Sequence, residues 1–544
     1  MLISALFGFV IFAYLYGIEI LHPHYFSWLL SGDSSIYFFG FNFFNQEPWH
    51  LPLGQINSYS FPEGASVVYT DSSPLVSIGL KALNFLPGMQ SIYQFHGIWI
   101  LTCFALQGAL GFFLFYRYTR NWWNSLIGSV FLVTLPSFLN RGYEGTRHYS
   151  LLPHFILLLA LALAFHPKKK RSVFTWAALT IIALGLHFYL AFVVGFFAFA
   201  SLYDRLKEKR FQVFICTVAV VIASYFYGYF TIPLGNSSAG GFGLYSMNLN
   251  ALFNPNPYPA WLPIWPTANP LQSEGFQYMG LGFLILSLMY LRPETFRKLT
   301  LPNQCAIIFL ILLSLSFRLS FGPWVIGEWF TVPAYFVFVF YYIKDFEPSK
   351  AKRAAYAVAT LLLLFAFGKI ARATGRFFWP IEYLALFLIL MRKPHPSILA
   401  MLLLVQLGDL SGIMKAIHTQ NIRLNTLSNP ARPIPEAWNE KDFDHISFVR
   451  PGSVHVTPLV FFALEKHKTI GPLILARASS RFRKFEQDSL SMELAAHQFR
   501  PHTLYVIEDQ NLWDNLKAFC AAPTGPCQSV QLAQTDLYRL LLSR

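Results

Sequence analysis

The chain has 544 residues and a formal net charge of +14, yet only 12% of its residues are charged and 55% are hydrophobic. A soluble domain carries about 25% charged residues, so this chain cannot cover its surface with charge, and a water-soluble fold is excluded. Its mean hydropathy of +0.44 asks for lipid as the solvent of much of the exterior, and scattered basic residues beside apolar runs argue against a nucleic-acid partner.

The predicted elements begin with an apolar N-terminus, Met1 to Ile20, without a basic leader or a small-x-small cleavage site, read as a retained first span. Further spans are expected at 93–116, 124–140, 149–165, 173–186, 188–203, 211–230, 279–291, 303–320, 328–343, 354–370, 377–391 and 396–414. The fold class is therefore an all-α polytopic membrane protein of about 13 transmembrane helices, with several stretches shorter than the roughly 20 residues a straight span needs. Basic loops set the orientation: Arg117/Arg120, Lys168–Arg171, Arg205–Arg210, Arg292–Lys298, Lys344–Arg353 and Arg392/Lys393 fall on one side, the cytoplasm by the positive-inside rule. Residues 172–203 lie between two such loops, so they read as a hairpin of two short helices turning near His187. Three segments then face outward: a loop at 22–92, a loop at 231–278, and the region 415–544. That region, with strand-like Thr503–Ile507 and helix-like Asp514–Cys520, reads as a small C-terminal α/β extracytoplasmic domain following a transmembrane domain over 1–414. Cys103, Cys216 and Cys305 sit in apolar segments, whereas Cys520 and Cys527 are positioned for a disulfide in an oxidising compartment. No internal repeat is evident.

Polar residues in so apolar a chain need a reason. Asp33 follows the first span, where it is either a base raised in pKa by partial burial or, with Ser31 and Ser34, a helix N-cap. Asp71 carries the same alternatives ahead of a helix near 75–86. His50 lies in Glu47-Pro48-Trp49-His50. The second outer loop packs Arg141, Glu144, Arg147, His148 and His154 into a short run, able to grip phosphate through Arg or to transfer a proton through His, or simply to form a surface pair and a core histidine. His187 stands at the hairpin turn, and Glu274 ends the second large loop. Arg372 and Arg376 lie on the outer side against the charge rule; Arg376, beside Gly375 and two Phe, reads as a phosphate grip or a snorkelling Arg. Arg318 and Asp409 are further charges at membrane depth. No Walker loop, dinucleotide fingerprint, Cys-x-x-Cys or His-Glu-x-x-His is present.

This layout resembles the GT-C class of membrane glycosyltransferases, which have many spans, an acid in the first outer loop and often a C-terminal extracytoplasmic domain. More narrowly it resembles a bacterial family of GT-C-like polytopic proteins, through Gly32-Asp33, Pro48–Gly54, Pro62–Ser72, His148-x-x-Leu151-x-x-His154, His187–Leu190, Glu274–Gly282 and Gly375–Pro380. Three departures stand out: Arg147 precedes His148 where the family favours Gly-His-Glu, Phe188 replaces a Pro, and Ser34 follows Asp33 where paired acids are common. The resemblance implies an inverting glycosyltransferase of the bacterial inner membrane. It would move a sugar from a polyprenyl-phosphate donor to a glycan, lipid or protein acceptor, with Asp33 as general base and Arg376, Arg147 and His148 holding the donor phosphate. The residues define no cofactor and no metal ligand set; a divalent metal is left open. The alternative is a transporter or flippase of a lipid-linked or anionic substrate, against which the placement of the polar clusters in outer loops argues. A scaffold built on the C-terminal domain is a third reading.

Overall fold

The computed structural model describes the chain except residues 144–146, 233–241, 329–330, 343–348, 356, 359, 361–370, 426–433, 436–437, 439, 450–455, 474, 476–479, 522–529, 536–537 and 544. The chain divides into two compact units: 1–25, 95–223 and 239–425 form one, and 26–94, 224–238 and 426–544 form the other. This differs from the expected division at 414/415, which falls inside the helix Ser411–Asn425, and it groups most of the first outer loop with the C-terminal region.

The first unit is helical. Among the described residues five helices are long and apolar enough to cross a membrane, within 96–119, 122–142, 188–205, 210–227 and 374–391, and a sixth if the bent pair 396–409 and 411–423 is one span. Such helices are compatible with a membrane protein. Others are shorter than expected. The first ends at Tyr16, where Gly17 takes φ 77°. The stretch expected to span 303–320 stops at Leu315 and continues as an antiparallel strand pair, Arg318–Phe321 with Trp324–Glu328. Arg318 is thus a hairpin residue whose Nε lies 3.7 Å from Glu328. Most of the stretch 354–370 is outside the described residues. The helices Val173–Leu186 and Phe188–Leu202 form the expected hairpin: His187 ends one and begins the next, and the Lys209 side chain donates to the Arg171 carbonyl, tying the two basic loops together at one end.

The second unit holds a mixed five-stranded sheet, ordered 469–471, 445–449, 503–507, 539–543, 530–534. The first three strands are parallel and the last two pairings antiparallel. Thr503–Ile507, the expected strand, is central and wholly buried, as a strand covered on both faces must be. Leu490, Leu494, Trp513 and Leu516 from two helices close over Val449, Tyr505 and Leu541. The sheet's parallel edge is not bare. Residues 58–61 from the first outer loop run along it, with Ile470 N–H donating to Ser58 O at 2.9 Å and Phe61 N–H to Ile470 O at 3.0 Å. Phe61 stacks on His445 at 4.6 Å. Segments so bonded must share one side of any membrane. Cys520 is disulfide-bonded, and Cys103, Cys216 and Cys305 are free; Cys527 lies outside the described residues.

Candidate functional site

In the helical unit three charges converge. Glu274 ends a short 3-10 turn, Pro270–Gly275, and Arg376 sits in another, Thr374–Phe378. The turns touch at glycines: a Cβ on Gly375 would stand 2.4 Å from the Gly275 Cα, so any side chain there would push the two charges apart. Gln277 Nε2 donates to Gly375 O at 2.8 Å and fixes the contact. Arg141 arrives from the end of the preceding helix region. Its Nη1 donates to Glu274 Oε2 at 3.0 Å, and Arg376 Nη2 donates to the same oxygen at 2.9 Å. Arg141 is fully buried and Arg376 and Glu274 nearly so, at 0%, 7% and 13% side-chain exposure. Burial pushes the Glu274 carboxyl up, but Arg376 and Arg141, with His148 adding to their field, overcome it and hold the acid at about 2. Two guanidiniums on one carboxylate leave the cluster net positive. Arg141 is also underused: its Nε and Nη2 are buried without a hydrogen-bond partner among the described residues. Its guanidinium lies 5.4 Å from the Trp379 ring centre.

The sequence-predicted residues of this unit are partly brought together. Glu274, Arg376 and His148 belong to the cluster. His148 lies 6.0 Å, ring to ring, from His187, whose Nδ1 accepts the Tyr189 N–H at 3.2 Å, and Arg376 lies over the Tyr189 ring at 4.9 Å. Arg147 points elsewhere, its Nη2 donating to Asn421 Oδ1 at 3.2 Å. His154 is fully buried, its ring tilted against Trp379 at 4.4 Å and bonded through Nδ1 to the Tyr383 hydroxyl at 2.8 Å, which also accepts from Gln107 at 2.9 Å. Glu382, fully buried, accepts from Ser137 Oγ at 2.5 Å. Glu144 lies outside the described residues. Asp409 is structural: it accepts from the Trp261 and Leu281 N–H groups, each at 2.9 Å, and from the Tyr278 hydroxyl at 2.6 Å, bracing the segment that follows Glu274.

An apolar groove starts beside the cluster. Tyr189 and Phe192 both pack on Phe377, at 5.3 and 5.0 Å. From Phe192 the same helix face continues through Phe196 to Phe199, which with Cys305 and Phe309 line a groove of about 500 Å³.

The second unit carries the other candidates. Asp33 is exposed and is the first residue of the helix Asp33–Gln46. The expected caps are corrected here, since Gly32 holds the N-cap position at φ 57°, ψ −148°, a region glycine alone enters cheaply. A carboxylate at that first position lies in the positive end of the helix dipole. Asp71 does not cap either: the N-cap of Pro74–Ala82 is Ser73. Asp71 and Ser73 both take left-handed backbone, φ 51° and 50°, around Ser72, whose Oγ donates to Tyr37 O at 3.0 Å. Asp71 is 8% exposed. His50 Nε2 lies 3.4 Å from Glu47 Oε2, and Glu47 itself accepts the Asn57 N–H at 2.9 Å and the Ser58 N–H at 2.6 Å. Lys81, almost buried at 4% exposure, lies 4.0 Å above the Phe44 ring; burial pushes its amine down to about 8, against the pull of Glu47.

Sequence reasoning noted Arg141 in its run of polar residues without singling it out. The signal was available, because an Arg at the end of an apolar helix needs a buried acid. The chain belongs to a family described as a domain of unknown function, DUF6311, whose model matches residues 5–411. The model of that family's C-terminal domain matches 437–535. No curated protein and no solved structure matches the chain.

Proposed function

We propose that this is a membrane-embedded glycosyltransferase, taking its sugar from a polyprenyl-phosphate donor at the outer face of the bacterial inner membrane. One observation carries the lipid-phosphate part: a buried, net-positive cluster with unused Arg141 donors is linked through the rings of Tyr189, Phe377 and Phe192 to an apolar groove. A phosphate monoanion or dianion would complete the cluster's charge and hydrogen bonding, and a prenyl chain would fill the groove. The helix 210–227, with only 6% of its apolar window buried, supports a lipid setting. In the reaction the acceptor hydroxyl oxygen bonds to the anomeric carbon as the bond from that carbon to the phosphate oxygen breaks. The electron pair leaves with the phosphate, held by Arg376, Arg141 and His148, and the hydroxyl proton passes to a base, the role the sequence reading gives to Asp33. Arg147, turned to Asn421, positions the helix 411–425 in this scheme.

Release of polyprenyl phosphate from polyprenyl-phosphate hexoses by the full chain in nanodiscs tests the reading. Asp33→Asn is expected to keep donor binding and to lose about 10²–10⁴ in rate; an active variant would move the base elsewhere. A second reading, transport, is favoured by the buried polar chain Gln107–Tyr383–His154 and by Glu382. Flux of a labelled lipid-linked substrate across proteoliposomes without any glycosylated product would establish it instead.

A further inference from the structure

Between Arg210 and Glu274 the chain has no Asp, Glu, Lys, Arg or His. A loop that faces water carries charges, so the described stretch 242–273 is not built as a solvated surface. It nevertheless holds large apolar side chains outward: Trp261 is 61% exposed, and Phe253, Ile264 and Trp265 are exposed as well. The hairpin 318–328 adds Trp324, 65% exposed, with Val325 and Ile326. Satisfied amides hold these rings in place. The Asn248 side chain pins the hairpin, donating to Gly322 O at 2.9 Å and accepting the Gly322 N–H at 3.0 Å, and Gln272 Nε2 donates to Ser320 Oγ at 2.7 Å. Asn254 grips Trp265 in the same way, at 2.9 and 3.1 Å, and Trp265 meets Phe253 and Phe321 edge to face, at 6.2 and 6.0 Å. At one end the surface runs on into a helix. Trp261 lies on Gly408, where an added Cβ would stand 2.7 Å from its ring. Gly408 follows Met401 and Leu404 on one face of the helix Pro396–Asp409, and both of those side chains are exposed. The stretch also abuts the charge cluster, since the Gly375 N–H donates to Tyr245 O at 3.2 Å.

We infer that this surface seats in the headgroup region of a lipid bilayer and holds the Glu274–Arg376 cluster near that depth. Trp is favoured at the boundary between headgroups and acyl chains, where its ring is in apolar surroundings and its N–H is wet. The stretch brings no cation of its own, and the hairpin's Arg318 and Glu328 lie 3.7 Å apart at its base. With no net charge to offer, the surface fits neutral and zwitterionic lipid and makes no demand for anionic headgroups. An exposed apolar patch of this kind marks a contact. Its continuity with the exposed face of 396–409, half of a bent apolar pair, selects the bilayer as the partner, because Trp261 then stands where a span leaves the hydrocarbon. The inference rests on the membrane setting of the proposed function and not on glycosyl transfer.

The test uses the full chain, with Cys103→Ala, Cys216→Ala and Cys305→Ala, in phosphatidylcholine nanodiscs. A bimane label is placed at one added thiol: Ile264→Cys, Ile326→Cys or Val218→Cys. Val218 is exposed on the apolar helix 210–227 and reports the membrane setting itself. Lipids with a nitroxide near the headgroup or deep in the acyl chain are the quenchers. Labels at 264 and 326 are expected to be quenched at least about twofold more by the shallow nitroxide than by the deep one, in keeping with insertion by about 5–10 Å. Quenching at 218 without quenching at both 264 and 326 would overturn the inference and leave the membrane setting standing. No quenching at any of the three would overturn both. Equal quenching by the deep nitroxide, or quenching that needs added phosphatidylglycerol, would contradict the depth or the neutral-lipid fit. Labels that neither lipid nitroxide nor aqueous iodide reaches, with two chains per disc, would give the surface to a second copy instead. Iodide-accessible labels whose emission shifts on adding maltotetraose would give it to a neutral glycan.

Discussion

Two three-charge clusters in this protein are mirror images in composition and opposite in design. In the sheet-bearing unit one cation serves two acids: Arg500 donates from Nε and Nη2 to the two oxygens of Glu493 and from Nη1 to Glu486, all at 2.8 Å. In the helical unit one acid serves two cations, Arg141 and Arg376, through a single oxygen. Arg500 spends its donors on all three directions of its fork and is 36% exposed. Arg141 uses one donor, keeps Nε and Nη2 without a partner among the described residues, and is fully buried. A satisfied, half-solvated fork ties a helix to a strand approach. A buried fork with unmade bonds is costly to keep, and such a cost is normally retained where a ligand makes the missing bonds.

The sharpest way to break this contrast is to remove the acid from each cluster. Glu274→Gln leaves two buried guanidiniums uncompensated and is expected to cost about 3–5 kcal/mol, read as a fall in the unfolding midpoint of the full chain in detergent. A loss under about 1 kcal/mol would mean the cluster is solvated and the contrast false. Next in size is ligand affinity. Arg141→Lys keeps the charge beside Glu274 but not the spare donors, so lipid-phosphate affinity is expected to drop about ten- to a hundredfold with folding retained. Unchanged affinity would show that the buried fork does not meet the ligand. The pH response follows. Both Glu274 and Glu493 have their carboxyls lowered in the folded state, Glu274 to about 2 and Glu493 by its bonds to Arg500. Each therefore adds stability that is complete above the ordinary carboxylate range and is lost as pH falls through the folded value. The Glu274 contribution is expected to fade from the ordinary carboxylate range down to about pH 2, where the carboxylate itself titrates in the folded state, and carboxylate infrared bands of Glu274→Gln against the wild type would show which transition is its own. The smallest effect belongs to Glu486→Gln, which leaves Arg500 its Glu493 fork and is expected to cost at most about 1 kcal/mol by the same unfolding measurement.

How far the sequence carried depends on how local the signal was. The hairpin at His187 was legible because two basic loops with one apolar stretch between them permit only an even number of crossings if both stay inside. Thr503–Ile507 was legible as a strand from its own residues. Glu274 and Arg376 were legible as candidates, since charges are rare in such surroundings, but their pairing was not. It depends on two glycines, 100 positions apart, packed so closely that a Cβ on Gly375 would stand 2.4 Å from the Gly275 Cα, which no local pattern encodes. The same holds for Arg147, whose guanidinium serves Asn421 rather than the cluster, and for the cap at Gly32, where three better-looking caps surround a glycine chosen for its backbone angles. The shared unit of the first outer loop and the C-terminal sheet was likewise invisible, because edge pairing is made by backbone groups that every residue carries.

That edge pairing has a consequence for biosynthesis. Ser58 and Ile470, which bond across it, are made far apart in time: at about 5–20 residues per second, translation needs roughly 20–80 s to travel between them. Throughout that interval the early segment is already outside the ribosome while the strand it will join does not exist. A strand made late thus completes a segment made early, and a product truncated before Ile470 would display an extended segment that only the missing strand can cover, a signal by which a quality-control protease could distinguish such chains.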